Sequence, residues 1–146
     1  MLKLGAAFAA LCIWAGAVWA QADAIGYVKT VQGGASVSVG GRAQPAQPGT
    51  PLYVGAVLRT DKDGSLGVTF KDNTIMSLGP DTEITVDEYL FLPGSGELKL
   101  GANMLRGTLN YISGLIAKLK PEAVSLKTPK GIIGVRGTHF LAKVEE

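Results

Sequence analysis

Apolar and polar positions alternate with a period of two along most of the chain beyond residue 25. In GYVKTV, Tyr27, Lys29 and Val31 fall on one side and Val28 and Thr30 on the other. ASVSVGG alternates around Val37 and Val39, and GSLGVTF points Leu66, Val68 and Phe70 together. TEITVDEY sets Ile84 and Val86 against Thr85 and Asp87, and ELKL sets Leu98 and Leu100 against Glu97 and Lys99. TLNYIS pairs Leu109 with Tyr111, and AVSLKTP pairs Val124 with Leu126. Strand side chains point to opposite faces in turn, so each stretch predicts a half-buried strand. No long stretch repeats every 3.6 residues, and a helical turn is expected only within Tyr111–Leu119, centred on residues 114–117.

The punctuation agrees with this pattern. Asp63-Gly64, Asp72-Asn73, Gly79-Pro80-Asp81 and Pro93-Gly94-Ser95-Gly96 are turn signals between short strands. The expected fold class is all-β: a single compact domain of short strands, roll or solenoid-like, with a β-sandwich as the alternative. Residues 40–51, GGRAQPAQPGTP, read as a surface loop. GAVLRT at Gly55–Thr60 resembles GANMLRGT at Gly101–Thr108, each ending an apolar strand in Leu-Arg. This similarity fits either a repeat with Arg59 and Arg106 in related positions or two convergent strand starts.

The first 20 residues carry Lys3 followed by an uncharged, apolar run from Leu4 to Trp19. With small residues before Ala20 and again at Ala22, they read as a signal peptide cleaved after one of the two, with an uncleaved inner-membrane anchor as the alternative. The domain is then residues 21–146. Cleavage changes the chemistry on offer. Losing Lys3 from 14 basic residues leaves 13 against 12 acidic ones, and losing Cys12, the only cysteine, leaves no disulfide and no thiolate. Cys12 follows Leu11 rather than a small residue, which argues against a lipid-bearing cysteine.

Catalytic and ligand-binding constellations are thin. His139 is the only imidazole, and no Gly-x-Ser-x-Gly elbow accompanies it, so it reads as a polar strand residue and no catalytic residue is assigned. Zinc needs several nitrogen or sulfur ligands. Asp61 and Asp63 in DKDGS lack the further ligands and closing glutamate of a calcium loop, and a hairpin turn accounts for them. Neither metal nor cofactor is expected. Gly131, Gly134 and Gly137 follow no phosphate-loop order. Lys127, Lys130 and Arg136 make a small basic patch without the excess that a nucleic-acid surface carries.

The most specific stretch is VSLKTPKGIIGVRGTHF, Val124–Phe140. Together with GYVKTVQGGASVSVGG, LYVGAVLRTDKDGSLGVTFKDNTIMSLGPDTEITVDEY and GANMLRGTLNYISG, it resembles the FecR-like domain family in order and spacing. The family's terminal pattern falls on Thr128, Pro129, Gly134, Arg136, Gly137, Thr138 and Phe140. Its Asp-Gly-Thr turn falls on Asp72, Asn73 and Thr74, where Asn73 replaces the glycine. Many relatives carry an acidic residue just before the last phenylalanine, where this chain has His139.

The resemblance implies a periplasmic, non-enzymatic domain for protein–protein recognition or signalling. An envelope protein or receptor is the implied partner. The signalling members also need a cytoplasmic part and a membrane span, so no direct contact with a sigma factor is expected of this chain. Partner-binding candidates are Arg136, His139, Lys130, Tyr89 and Phe91. Thr128, Pro129, Gly134, Gly137, Thr138 and Phe140 are read as the structural motif. Pro129 is expected to set a turn, the three glycines to permit close backbone approach, and Ile132, Ile133, Val135, Phe140, Ala142 and Val144 to supply core faces. A carbohydrate or cell-wall glycan module, using exposed aromatics, and a hydrolase using His139 stand as alternatives. In DEYLFLPG, Tyr89 and Phe91 share one strand face and Leu90 and Leu92 the other, so one pair is expected to be exposed.

Trp14 and Trp19 both lie in the leader. The processed protein should therefore show tyrosine emission and no tryptophan emission; a tryptophan band from the purified envelope form would show that the leader stays attached.

Overall fold

A computed structural model describes residues 23–135 and 137–145; the expected leader and Arg136 lie outside them. Period-two alternation yields strands almost throughout. In chain order they are β1 (Gly26–Gln32), β2 (Ala35–Val39), β3 (Arg42–Pro45), β4 (Pro51–Leu52), β5 (Val57–Thr60), β6 (Ser65–Phe70), β7 (Ile75–Leu78), β8 (Glu83–Leu92), β9 (Glu97–Ile112), β10 (Val124–Thr128), β11 (Gly131–Gly134) and β12 (His139–Val144). One short helix, α1 (Leu115–Leu119), sits where a helical turn was expected. The stretch read as a loop carries β3, an edge strand exposed at all four positions, and the two-residue β4. Gly40 and Gly41 join β2 to β3 with φ of 60° and 79°, the pair of positive angles that a tight hairpin needs.

The strands form one sheet folded into two leaves. The first leaf runs β4-β1-β6-β7-β9-β12 and the second runs β3-β2-β5-β8-β9-β10-β11. The pairings are antiparallel except that of β10 with β9. Strand β9, with 16 residues, belongs to both leaves and is their spine. Along one edge it pairs β8 with its first half and β7 with its second; along the other it pairs β10 and then β12. Its inward residues are Leu100, Ala102 and Met104 in one leaf and Leu109 and Tyr111 in the other. The phase slips because Arg106 faces Glu83 whereas Met104 faces Ile84, which leaves Leu105 as an extra residue. That bulge lets one strand serve both leaves.

Of the chain passes that cross between the leaves, four cross side by side. These are Gly33-Gly34 between β1 and β2, residues 61–64 between β5 and β6, residues 79–82 between β7 and β8, and Gly107 within β9. Backbone bonds lace the passes together: the Asp61 N–H donates to Gly34, Asp81 to Asp61, and Gly79 to Thr108, at 2.9–3.0 Å. The passes lie so close that a Cβ on Gly79 would stand 2.0 Å from the Thr108 Oγ1, and one on Gly107 2.4 Å from the Thr82 Cα. The hydroxyls of two buried threonines, Thr60 and Thr82, satisfy polar groups trapped there. The Thr60 hydroxyl donates to the Gly79 carbonyl at 2.6 Å and accepts the Thr82 N–H at 2.9 Å. The Thr82 hydroxyl accepts the Thr108 N–H at 3.0 Å and shares its proton between the Pro80 and Thr108 carbonyls. Buried polar groups need such partners.

Apolar residues from both leaves, among them Val68, Met76, Leu109, Val37, Leu58 and Ile84, make one core, and α1 adds Ile116 and Ala117. Steric exclusion at the corner gives a prediction. Gly107→Ala combines overlap with a backbone φ of 98° and should cost about 3 kcal/mol. Gly40→Ala, with φ of 60° and nothing within 4 Å, should cost about 1 kcal/mol. Urea unfolding midpoints decide between them, and equal losses would mean that the corner is not tightly packed.

Candidate functional site

The terminal motif builds strands β10 to β12. The Thr128 hydroxyl accepts the Lys130 N–H at 3.3 Å and donates to the Gly131 carbonyl at 3.0 Å, which closes the turn that Pro129 begins. Gly131 and Gly137 owe their place to backbone angles of 147° and 93°. Among the described residues no atom lies within 4 Å of a Cβ built on Gly131, Gly134 or Gly137, so close backbone approach is not their reason, and nothing in the structure explains Gly134. The Ser113 hydroxyl donates to the Gly137 carbonyl at 2.9 Å, and the Ser113 N–H to the Thr138 carbonyl at 2.8 Å, which ties the start of β12 to β9.

Phe140 stacks on Tyr111 with ring centroids 4.7 Å apart. Burial first, and the Asp72 charge after it, push the Tyr111 hydroxyl up to about 12. Thr74 and Ser113 offset part of this without meeting hydrogen-bond geometry, since the Tyr111 hydroxyl has no such partner among the described residues. His139 is exposed on β12, with Nε2 hydrogen-bonded to Asn110 Oδ1. Val135 and Ala142 are buried and Phe140 and Val144 are partly so, but Ile132 and Ile133 are 69% and 40% exposed rather than core. Leu141, on β12, is 78% exposed. A cleft of about 330 Å³ separates β11 from β12, with Ile132, Ile133 and Lys130 on one wall and Ala142, Val144 and Lys143 on the other.

Tyr89 and Phe91 lie elsewhere, on β8, and both pack against the core, which leaves Leu90 and Leu92 as the exposed pair. Tyr89 stacks on Phe70 at 5.4 Å and belongs to a knot around Asp72, which is fully buried. The Asp72 carboxylate accepts the Tyr89 hydroxyl at 2.9 Å, the Thr74 hydroxyl at 2.7 Å and the Ile116 N–H at 3.1 Å. The Asp72 carbonyl accepts the Leu115 N–H at 2.7 Å, so this one residue anchors α1. Burial, and then the Asp72 charge, hold the Tyr89 proton well above the ordinary tyrosine range, which keeps it available as a donor. Asn73 bears the turn in left-handed geometry, φ 68°.

The terminal motif places Lys130 in the β10–β11 turn, beside the C-terminal end of β12, and His139 at the opposite end of β12; Tyr89 and Phe91 sit on a different strand, and Arg136 lies outside the described residues. Arg59 and Arg106, the two ends of the internal similarity, flank Glu83 from either side as its cross-strand partners on β5 and β9. Arg59 pairs with Glu83, and Arg106 lies 3.4 Å from Asp81. The residues that reasoning from sequence missed are Leu141 and Ile132, whose apolar character reads as core in any alternating pattern. Asp72 carried a usable signal, an Asp two residues ahead of a Thr at a strand end.

A family model described as FecR protein matches residues 56–146, well over half of the chain, and the chain belongs to that family. The matched span begins at the start of β5, so β1 to β4 precede it. No curated protein and no solved structure matches the chain.

Tyr89→Phe strips one donor from the Asp72 carboxylate and leaves the Asp72 N–H, 3.0 Å from the Tyr89 oxygen, without its partner. It should lower stability by about 1–3 kcal/mol in chemical unfolding. An unchanged midpoint would mean that the knot does not hold this end of the fold.

Proposed function

We propose that this chain is a non-enzymatic recognition module of the cell envelope that takes another protein as its partner in a signalling-associated role. The observation that carries this reading is the contrast between the two kinds of side chain just described. Thr60, Thr82 and Asp72, set deep in the fold, have their side chains engaged at the corner and around the Asp72 turn. On the terminal strands, by contrast, the apolar Ile132, Ile133 and Leu141 stay exposed. Ile132 and Ile133 line one cleft together with Ala142 and Val144, and an exposed apolar patch of this kind is a usual mark of a protein contact surface. Family membership supports the same reading, since the FecR-like resemblance implies regulators that sense a partner in the periplasm. The cleavable leader expected from the sequence would deliver the domain there. His139 fits a contact residue better than a general base, because its Nε2 is already engaged by an amide oxygen on an exposed strand.

The test is crosslinking in intact envelope, with an affinity tag at the mature N-terminus and mass spectrometry of the captured material. Wild type should capture one saturable envelope protein, and Ile132→Ser/Ile133→Ser, checked for folding, should lose it. Capture of wall glycan instead, or of nothing saturable, would overturn the proposal.

A further inference from the structure

Strand β12 has one free edge. Among the described residues it pairs only with β9. The bond from the Ser113 N–H to the Thr138 carbonyl lies in the β9–β12 register and marks a hydrogen-bonded pair. Hydrogen-bonded and non-hydrogen-bonded pairs alternate along an antiparallel ladder. Phe140, Ala142 and Val144 therefore turn their N–H and C=O groups to β9. His139, Leu141 and Lys143 turn theirs to the open side. Strand edges are commonly covered, bulged or very short, because unpaired backbone groups invite another strand. This edge is six residues long, and its central residue, Leu141, is 78% exposed.

The two leaves are also of unequal width on this side. Beyond β9 the second leaf has β10 and β11, whereas the first has β12 alone. Strand β11 is exposed at all four positions. Ile133 is the cross-strand partner of the buried Leu126 and so faces inward, yet it remains 40% exposed. The cleft of about 330 Å³ between β11 and β12 lies where the first leaf lacks a further strand.

We propose that β12 accepts an extended segment of a partner protein as an added strand, which fills this place and covers Ile133. The inference rests on the recognition reading above and specifies its chemistry. The segment carries apolar side chains at every second position, directed toward Ile133 and Ala142. It carries an acidic residue for the rim, where Lys130 and Lys143 stand and where Glu145 lies 3.1 Å from the Lys143 Nζ. A lone strand, about 4.8 Å across in the hydrogen-bonding direction, suits a cleft of about 330 Å³ beside a single open edge. A second copy of this chain suits it less, because pairing β12 with β12 would bring a second two-leaf body against the overhanging β11.

The experiment selects binders from a phage-displayed library of random strand-length peptides on the whole processed protein, then measures each on Leu141→Pro. Proline there removes an outward N–H and leaves the β9 ladder intact, a substitution that edge strands tolerate. Enriched peptides should alternate apolar residues and lose about tenfold in affinity on Leu141→Pro, the upper end of what one hydrogen bond contributes. Backbone N-methylation of the peptide at alternate residues should have the same effect. Ile133→Lys, which leaves the edge intact but fills the cleft, gives a second variant if Leu141→Pro folds poorly. No enriched peptide, or peptides that bind wild type and variants alike, would overturn strand addition. Retained envelope capture by Leu141→Pro would overturn it too and leave the recognition reading standing; loss of capture by wild type itself would count against that reading.

Discussion

The fold depends on a corner where four backbones cross within van der Waals range. A sheet bent this sharply traps amide and carbonyl groups that neither the ladder nor solvent can reach. Glycine supplies the room, and threonine supplies the missing partners. Gly34, Gly64, Gly79 and Gly107 each stand where a Cβ would overlap a neighbouring pass. The hydroxyls of Thr60 and Thr82 hand hydrogen bonds from one pass to the next, reaching the Thr108 backbone. Once the corner is set, the two leaves face each other and their inward residues form one core. Without it the same strands would make an open sheet with one apolar face in water.

The strands and most turns are legible in the sequence because alternation and Gly/Asp/Asn punctuation are local properties. The corner is not, because it is made by residues distant in sequence: Thr60 meets Thr82, and Thr82 meets Thr108. The slip of inward residues from even to odd positions in β9 is visible in GANMLRGTLNY, but only the pairing shows that one strand changes leaves there. The similarity between Gly55–Thr60 and Gly101–Thr108 gains a physical meaning from the same place. The two strands flank β8, so Arg59 and Arg106 border Glu83 while Thr60 and Thr108 border Thr82.

Two features at the terminal motif escape the sequence for a different reason. An apolar residue on a strand implies burial only if another layer covers it. Ile132 and Ile133 alternate like core residues, yet the first leaf ends before it reaches them. Tyr89 misleads in the opposite sense: an aromatic beside exposed leucines suggests a contact surface, but its hydroxyl serves Asp72 inside the fold. A family's motif therefore holds both scaffold and surface, and the pairing pattern separates them. Asp72 and Thr82 belong to the scaffold, whereas Leu141 belongs to the surface.

The central claim is that a folded protein presents the outer edge of β12 uncovered. Residue-resolved amide hydrogen exchange on the isolated, processed protein tests it most directly. The account predicts alternation along one strand: slow exchange at Phe140, Ala142 and Val144, which face β9, and fast exchange at His139, Leu141 and Lys143. Uniform protection along β12 would contradict it by showing that the edge is already paired. Uniformly fast exchange would contradict it by showing that β12 is not held to β9.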